Sequence, residues 1–248
     1  MEEIIKVENL KVDFEGKRVL NGVNIGINEG ESIVIVGSSG CGKTVLLKTI
    51  LGLIQPVEGE IYIFGKNILK IPEEEVLKIR KEIGMVFQNS ALFDSMNVWQ
   101  NVGFYYLYHT EMKEEKIREK VRKVLKDVEL ENVEELMPEQ LSGGMKKRVS
   151  IARALISEPK ILFYDEPTTG LDPITSESIT RLMKDIHRKF RTTTITVTHD
   201  VKLASVISDR IALLENGKIA EVGTFEELRR KSTNPLIRSF VEMGGENE

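Results

Sequence analysis

Residues 37–44 have the types and spacing of a phosphate-binding loop. They read Gly-Ser-Ser-Gly-Cys-Gly-Lys-Thr and fit the pattern G-x-x-x-x-G-K-[ST], between a predicted buried strand and a predicted helix. Glycines let backbone N–H groups turn toward an anion, and the dipole of the following helix strengthens that attraction. We expect Lys43 to reach the β- and γ-phosphates of a nucleotide and Thr44 to give Mg²⁺ a hydroxyl ligand. The expected phosphate-binding residues are Gly37, Ser38, Ser39, Gly40, Cys41, Gly42, Lys43 and Thr44.

Cys41 is the only cysteine in the chain, so an internal disulfide and a multi-cysteine metal site are excluded. Two interpretations of this residue stay open: a small side chain that fills the loop, or a reactive thiol beside a helix N-terminus. For the loop as a whole, the simpler alternative is an ordinary glycine-rich turn between a strand and a helix.

Two acids follow an apolar segment, Ile161–Tyr164, that is typical of a buried strand. Carboxylates at the end of a buried strand are costly unless a metal ion or hydrogen bonds satisfy their charge. We expect Asp165 to hold Mg²⁺ through its water shell, and Glu166 to orient and deprotonate a water that attacks the γ-phosphorus. The simpler alternative is a pair of acids that caps a turn at Pro167.

Residues 141–145 read Leu-Ser-Gly-Gly-Met and predict a second anion site at the start of a helix. Ser142 is a favourable N-cap residue, and the glycine pair leaves first-turn N–H groups accessible to an anion. The phosphate loop alone is equally compatible with a GTPase or a small-molecule kinase. The guanine-reading pattern N-K-x-D does not occur in the sequence, and the second anion site argues against a kinase.

These motifs and their order resemble an ATP-binding-cassette (ABC) ATPase over about residues 4–223. The resemblance implies that Gln88 binds Mg²⁺ or the attacking water, and that Asp172 belongs to a loop of the nucleotide site. It also implies that His199 contacts the γ-phosphate and stabilises charge in the transition state. The simpler alternatives are a surface glutamine and a structural histidine.

In such ATPases two cassettes pack head to tail, so the resemblance implies a second copy of this chain as a partner. Ser142, Gly143 and Gly144 of one copy then complete the γ-phosphate site of the other. The implied cofactors are ATP and Mg²⁺. Two positions depart from the family pattern: Met145 replaces a usual glutamine, and Phe14, the candidate for stacking on adenine, stands one residue early.

Residues 87–98, 145–149 and 234–240 are similar to the ATPases of Mce-associated lipid transporters, of the Mla type. That resemblance implies phospholipid transport, with an integral membrane permease and an Mce-type lipid-binding subunit as partners. The expected apolar groove for the permease follows Gln88 and consists of Ala91, Leu92, Phe93, Met96 and Trp99. Each of these residues is equally compatible with a place in the core of the helical insert.

Other functions remain open. The alternatives are the ATPase of another importer, such as one for polar amino acids, and a non-transport cassette, such as an iron–sulfur cluster assembly ATPase. A DNA-repair cassette requires long coiled coils, and a translation cassette usually carries two copies of each motif. The sequence has neither feature.

Strand-like and helical segments alternate around the motifs, which is typical of an α/β protein. The expected fold is a P-loop NTPase (RecA-like) core with an N-terminal antiparallel β subdomain and a helical signature subdomain. We place one ATPase domain at residues 1–223, with the core at about 1–88 and 158–223 and the helical part at about 89–157. Residues 224–248 are expected to form a C-terminal helix and a tail whose final GGENE frays.

Hydrophobic periodicity and turn residues set the expected elements. The predicted helices are 43–53, 114–130, 143–157, about 176–190 and 225–230. The predicted strands after the N-terminal β region are 33–36, 59–64, 83–87, 161–164, 193–197 and 210–214.

The composition is that of a globular chain without a charge field that favours nucleic acid or lipid headgroups. The 248 residues are 41% hydrophobic and 30% charged, with a net charge of -4, so nucleic acid is not an expected partner. Apolar runs such as Ile33–Val36 are far shorter than the roughly 18 residues of a spanning helix, and MEEIIKVENL has no signal-peptide pattern. We expect a protein held at the cytoplasmic face of the inner membrane by its permease.

Overall fold

The computed structural model describes residues 2–244. The contacts between residues divide the chain into two compact units, one formed by residues 2–80 with 191–244 and the other by residues 81–190. Residues 245–248 of the expected tail lie outside the described part of the chain. The domain boundaries inferred from sequence stay a prediction.

The elements follow one another as strands and helices along the chain. In chain order they are β1 (Glu3–Phe14), β2 (Lys17–Asn28), β3 (Ser32–Val36), α1 (Lys43–Ile50), β4 (Glu58–Ile63), β5 (Lys66–Asn67), α2 (Glu73–Lys81), β6 (Ile83–Val86), α3 (Val98–His109), α4 (Glu114–Asp127), a 3-10 turn (Pro138–Gln140), α5 (Gly143–Leu155), β7 (Ile161–Asp165), α6 (Pro173–Phe190), β8 (Thr193–Thr198), α7 (Val201–Ile207), β9 (Arg210–Glu215), β10 (Lys218–Gly223), α8 (Phe225–Lys231) and α9 (Pro235–Gly244). Between residues 2 and 244, none of the helices combines the length and the apolar character that a membrane crossing requires.

The first unit contains an antiparallel sheet with the strand order β2-β1-β4-β5. The hairpin of β1 and β2 turns at Glu15 and Gly16, whose φ angles are 51° and 75°, as a tight two-residue turn requires. At Gly59, where φ is 109°, β4 passes so close to β1 that a Cβ would lie 2.6 Å from Leu10 Cα. Only glycine fits at this position. The four-stranded sheet is the antiparallel β subdomain that was expected.

The first unit also contains a parallel sheet built around β3. This strand pairs in parallel with β8 and β9, and β10 adds an antiparallel edge to β9. Every residue of β3 and β8 is buried, as expected for parallel strands covered on both faces. Helix α9 packs Ile237 and Val241 into an apolar cluster with Val34 and Val36 of β3.

The second unit pairs β6 and β7 in parallel and contains α3, α4, α5 and α6, with α5 packed against β6 and the other three helices packed against α5. The apolar face predicted for α4 is confirmed, because Ile117, Val121, Val124 and Leu125 are all buried. Val128, one residue beyond the helix end, is buried too.

Asn101, at the start of α3, is fully buried and binds the chain that leads into the helix. Its side-chain oxygen accepts a hydrogen bond from the Phe93 N–H at 2.8 Å. Its amide nitrogen donates to the carbonyl oxygens of Phe93, Met96 and Asn97 at 3.0, 2.8 and 3.1 Å. The Asn101 side chain therefore binds three residues of the segment that leads into α3: Phe93, Met96 and Asn97.

Several element predictions were wrong at their ends. Helix α1 stops at Ile50 rather than Leu53, because Gly52 adopts a φ of 70° that turns the chain. Helix α4 stops at Asp127 rather than Leu130, where Glu129 takes a φ of 58°. The tail expected after residue 230 instead contains α9. Helices α2, α3 and α7 were not predicted; α3 is apolar around most of its circumference and lacks a helical period.

We predict that Asn101→Ala lowers the stability of the protein by about 1–3 kcal/mol, since the Phe93 N–H and the Met96 carbonyl oxygen lose the hydrogen bonds that the Asn101 side chain supplies. Thermal unfolding of the wild type and the variant measures the effect. Asn21→Ala, at an exposed position of β2, is the matched control and should change stability by less than about 0.5 kcal/mol. Equal unfolding midpoints for Asn101→Ala and the wild type would contradict the prediction.

Candidate functional site

The predicted phosphate loop connects β3 to α1, the strand–loop–helix arrangement that phosphate binding requires. A Cβ at Gly37 would lie 2.4 Å from the carbonyl oxygen of Leu214 and 2.7 Å from the sulfur of Cys41. Gly42 has a φ of 104°, and a Cβ there would lie 2.7 Å from a Val19 methyl carbon. Both positions therefore need glycine, which keeps the loop narrow and its backbone exposed to a ligand.

Lys43 lies across this loop. It is 7% exposed, and its ammonium donates to the carbonyl oxygens of Gly37 at 2.9 Å and Ser38 at 3.1 Å. Gly42 caps α1 and brings no side chain that would compete with an anion for the first-turn N–H groups. The positive charge and the helix N-terminus thus lie at the same loop, which suits the phosphates of a nucleotide.

His199 leaves the sheet beside the phosphate loop. Strands β3 and β8 pair in parallel with Val36 opposite Thr198, so Gly37 and His199 both follow the carboxyl ends of neighbouring strands. His199 is exposed, and the next residue, Asp200, caps α7 by accepting a hydrogen bond from the Leu203 N–H at 3.0 Å. The strand register alone brings the predicted histidine to the edge where the phosphate loop begins.

The second unit has a matching pair at the ends of β6 and β7. Val86 lies opposite Tyr164 in the parallel register, so Asp165, the last residue of β7, and Gln88, two residues after β6, lie at neighbouring strand ends. Asp165 is 5% exposed, whereas Gln88 is exposed. The predicted metal-binding carboxylate and the predicted glutamine therefore lie at one sheet edge.

Glu166 has a strained backbone. Its φ is 45°, a left-handed conformation that costs a non-glycine residue about 1–3 kcal/mol. The half-buried side chain accepts a hydrogen bond from the Thr169 hydroxyl at 3.1 Å. Strain of this kind persists where the surrounding structure holds a residue in a working orientation, which agrees with the predicted general base.

The predicted second anion site begins α5. Ser142 is its N-cap and accepts a hydrogen bond from the Met145 N–H at 3.3 Å. A Cβ at Gly143 would lie 3.3 Å from a Leu171 methyl carbon, and one at Gly144 would lie 2.7 Å from a Thr175 methyl carbon. The glycine pair thus lets the start of α5 approach residues 171–175 closely.

Asp172, predicted from the family pattern, lies in that approached loop and caps α6. Its carboxylate accepts hydrogen bonds from the N–H groups of Ile174 at 3.1 Å and Thr175 at 3.0 Å. Hydrogen bonds from the Thr175 side chain and backbone hold the pKa of Asp172 below its usual value. The carboxylate therefore stays ionised at neutral pH.

Lys147 is buried on α5 and was not among the site residues predicted from the sequence. It is 2% exposed, and its ammonium donates to the carbonyl oxygens of Phe87 at 3.1 Å and Gln88 at 2.7 Å. Burial lowers the pKa of Lys147 to about 8, and the charge of Asp165 opposes that shift. Helical spacing was the signal in the sequence that could have indicated the burial of Lys147. One face of α5 contains Gly143, Lys147, Ser150, Ile151 and Ala154. A cation on such a face needs hydrogen-bond acceptors.

Two other expectations have mixed outcomes. Phe14 ends β1 and is 40% exposed, so its ring is accessible for stacking, but its role stays a prediction.

In the expected apolar groove, Phe93 is 43% exposed, whereas Trp99 is only 5% exposed. The Arg118 guanidinium lies over the Trp99 ring, 3.9 Å from the ring centre. Trp99 therefore belongs to the interior of its unit and not to an open groove.

The oxygen donors present suit Mg²⁺. Thr44 offers a hydroxyl, Asp165 a carboxylate and Gln88 an amide oxygen, all hard ligands of the kind that Mg²⁺ prefers. Thr44 is half-buried at the first turn of α1, directly after Lys43. Mg²⁺ usually keeps several waters and shares phosphate oxygens, so few protein ligands suffice.

The comparison with protein families decides the assignment. The family model described as ABC transporter matches residues 20–169, which is more than half of the chain. The chain belongs to the ABC transporter family. It is the ATPase cassette of a transporter, and it binds ATP with Mg²⁺.

Individual relatives of this cassette agree with the family. A methionine import ATP-binding protein, MetN, from Carboxydothermus hydrogenoformans is 38% identical over 241 residues, covering 96% of this chain and 71% of the relative. The protein TRIGALACTOSYLDIACYLGLYCEROL 3, chloroplastic, from Arabidopsis thaliana is 39% identical over 255 residues, covering 96% of this chain and 73% of the relative.

A solved structure supports the fold of the cassette. The dimeric post-hydrolysis structure of the ATP-binding cassette MJ0796, bound to ADP and Pi, has a TM-score of 0.80 at 35% identity. The match covers 89% of this chain and 98% of that one. The predicted fold class, an α/β P-loop NTPase with an antiparallel β subdomain and helical parts, is confirmed.

We predict that Glu166→Gln lowers the kcat of ATP hydrolysis by about a hundredfold or more and leaves the Kd for ATP within about twofold. The amide keeps the shape of the side chain but cannot accept a proton from water. Lys43→Ala is the contrasting variant and should weaken ATP binding itself, because it removes a buried charge from the phosphate loop. Steady-state hydrolysis and equilibrium nucleotide binding measure both effects. Wild-type turnover by Glu166→Gln would remove this residue from the chemistry.

We predict that a thiol-blocking reagent at Cys41 inhibits ATP hydrolysis by the cassette and that bound nucleotide slows the labelling. The sulfur is half-buried within the phosphate loop, where an added group would obstruct the phosphates. Mass spectrometry quantifies the label, and Cys41→Ser with the same reagent is the control. Full labelling at full activity would contradict the prediction.

Proposed function

We propose that this cassette powers lipid transport as the ATP-hydrolysing subunit of a membrane transporter. The observation that carries the proposal is the start of α5, where Met145, Lys146 and Lys147 follow the glycine pair. That stretch is similar to the ATPases of Mce-associated phospholipid transporters. A 39% identical relative named after a glycerolipid supports the same class of cargo.

For hydrolysis, we assign the phosphates of ATP to the loop that contains Lys43 and to the His199 side chain. Thr44, Asp165 and Gln88 are the proposed Mg²⁺ ligands, directly or through water, and the bound ion neutralises charge on the phosphates. Glu166 orients the attacking water and takes its proton while the bond from the γ-phosphorus to the ADP oxygen breaks.

The proposed partner at the nucleotide is a second copy of the cassette. Ser142 and Gly143 are exposed and Gly144 is half-buried, so the start of α5 is accessible to another molecule. Their N–H groups and the helix dipole suit the γ-phosphate held by the partner copy. Support comes from the dimeric form of the MJ0796 cassette.

The proposed permease contact lies after Gln88, on the exposed aromatic side chains of the second unit. Phe93 stacks on Phe104 at 4.7 Å between ring centres, and Tyr108, 61% exposed, lies 4.8 Å from Phe104. Such a patch suits the apolar face of a short permease helix. Through this contact, the cassette is proposed to lie at the cytoplasmic face of the inner membrane, with an Mce-type subunit bound to the permease.

A second candidate is the ATPase of an amino-acid importer. The 38% identity to a methionine import ATP-binding protein favours it, and this identity is nearly equal to that of the glycerolipid-named relative. The two candidates share the cassette chemistry and differ in the binding subunit and the cargo. Identification of those partners therefore discriminates between them.

We predict that Glu166→Gln with ATP, purified from the native membranes, retains a polytopic permease, an Mce-type lipid-binding subunit and phospholipid. The variant holds ATP without hydrolysis, which preserves the closed pair and its partners. Mass spectrometry identifies the proteins and lipids that accompany it. The matched control is Lys43→Ala with Glu166→Gln, which lacks tight nucleotide binding and should retain fewer partners.

A permease with a soluble amino-acid-binding subunit would contradict the lipid cargo and support the importer. Soluble partners without any permease would contradict the permease partner. Phospholipid recovered equally with both variants would count as membrane carry-over and not as cargo.

A further inference from the structure

Two cations of helix α5 bind the backbone that follows β6. The glutamine segment, residues 87–91, presents carbonyl oxygens to that helix. Lys147 donates to those of Phe87 and Gln88, as described above, and the Arg153 guanidinium donates to those of Ser90 and Ala91 at 2.7 Å each. Four carbonyl oxygens of one short segment are thus bound by two charged side chains of one helix.

The segment held in this way is strained. Ser90 and Ala91 have φ angles of 61° and 46°, both in the left-handed region that non-glycine residues avoid. Their backbone N–H groups bond within the segment, from Ser90 to Phe87 at 3.1 Å and from Ala91 to Asn89 at 2.7 Å. A strained segment needs outside contacts to keep its shape, and the fork of Arg153 supplies two parallel ones.

Lys147 is removed from solvent and Arg153 is half-buried, which strengthens their bonds to the carbonyl oxygens. Lys147 is 2% exposed, and burial lowers the pKa of Arg153 below its usual value. A charged donor in such an environment is costly without acceptors, so the two side chains hold the segment firmly.

The same helix begins with the predicted nucleotide contact. Gly143 lies four positions before Lys147, one helical turn away, with α5 continuous between them. Gly144 packs against Thr175, and Gly143 against Leu171, so the start of α5 also lies against the loop of Asp172. A displacement of α5 at its signature end is therefore transmitted along the helix to both cations.

We propose that Lys147 and Arg153 are positioning residues that clamp the glutamine segment to helix α5, so that Gln88 moves with the signature residues. The clamp makes the position of Gln88 depend on whether the start of α5 has bound nucleotide. It acts through Gln88 and touches neither substrate nor metal itself. This inference rests on the proposed role of Gln88 in hydrolysis.

The test replaces Lys147 by methionine, which keeps the length of the side chain and removes its donors. We expect the exchange of the Ser90 and Ala91 amide hydrogens to become about tenfold faster in the nucleotide-free protein. We expect kcat for ATP to fall about tenfold or more while KM stays within about twofold, since the loss affects positioning and not substrate binding. Hydrogen exchange by mass spectrometry and steady-state kinetics measure these values.

The matched control is Lys146→Met, the same substitution at the preceding lysine of α5, whose side chain makes none of these bonds. Its exchange and kinetics should remain within about twofold of the wild type. Arg153→Lys loses the fork and should change exchange and kcat in the same direction as Lys147→Met. Unchanged exchange in the segment, or faster exchange with an unchanged kcat, would overturn the proposal.

A folding defect is distinguished by exchange within α5 itself. If Lys147→Met also accelerates exchange along residues 147–155, Arg153→Lys, which keeps the charge and loses the fork, is judged by the same criteria. Gln88→Ala separates the two proposals: wild-type kcat in that variant would refute the role of Gln88, whereas the exchange of Ser90 and Ala91 decides the clamp.

Discussion

The close approach of Gly37 to the neighbouring strand is the constraint on which the first unit depends. A Cβ there would lie 2.4 Å from the Leu214 carbonyl oxygen, so the chain can leave β3 only at a glycine. That exit sets the path of the phosphate loop and the starting point of α1, and it fixes where Lys43 crosses the loop. The parallel register of β3 with β8 then brings His199 to the same edge. Steric fit and strand register together place the phosphate loop and His199 at one edge of the sheet. This local arrangement suits anionic ligands although the net charge of the chain is -4.

The second unit solves a different problem, the burial of positive charge. Lys147 is buried and Arg153 is half-buried on α5, and the segment after β6 offers both of them backbone carbonyl oxygens as acceptors. Each partner needs the other, because buried cations require acceptors and left-handed residues such as Ser90 require support. These hydrogen bonds connect helix α5 to residues 87–91, so we expect the helix and the segment to move together. The glycine pair at the start of α5 and the two cations further along it therefore belong to one continuous helix.

The motif residues could be found from the sequence because each of them has a chemical group that suits a particular role. The phosphate loop, the acids at the end of β7 and the cap at Ser142 follow from local pattern, whereas Asp172 was predicted only from the family resemblance. Sequence reasoning did not find Lys147: helical spacing places this cation on a largely buried face of α5, but its carbonyl partners, sixty positions earlier, cannot be identified from sequence. It also missed α3, whose apolar residues show no period, and could not decide between a groove and the core for Trp99, which is covered by Arg118. Local chemistry was predictable, whereas burial set by distant segments was not.

Three of the strained residues of the second unit lie next to the predicted chemistry. Glu166 follows β7 with a φ of 45°, and Ser90 and Ala91 follow β6 with φ angles of 61° and 46°. Each such residue costs about 1–3 kcal/mol, and a more relaxed sequence would place glycine there. Glycine at residue 166 would lack the carboxylate, so the strain at Glu166 agrees with its proposed role as the general base. At Ser90 and Ala91 the carbonyl oxygens of the strained residues accept hydrogen bonds from Arg153, which agrees with the proposed connection to α5. The strain at the two strand ends therefore fits two separate proposed roles, one for a base and one for a connection.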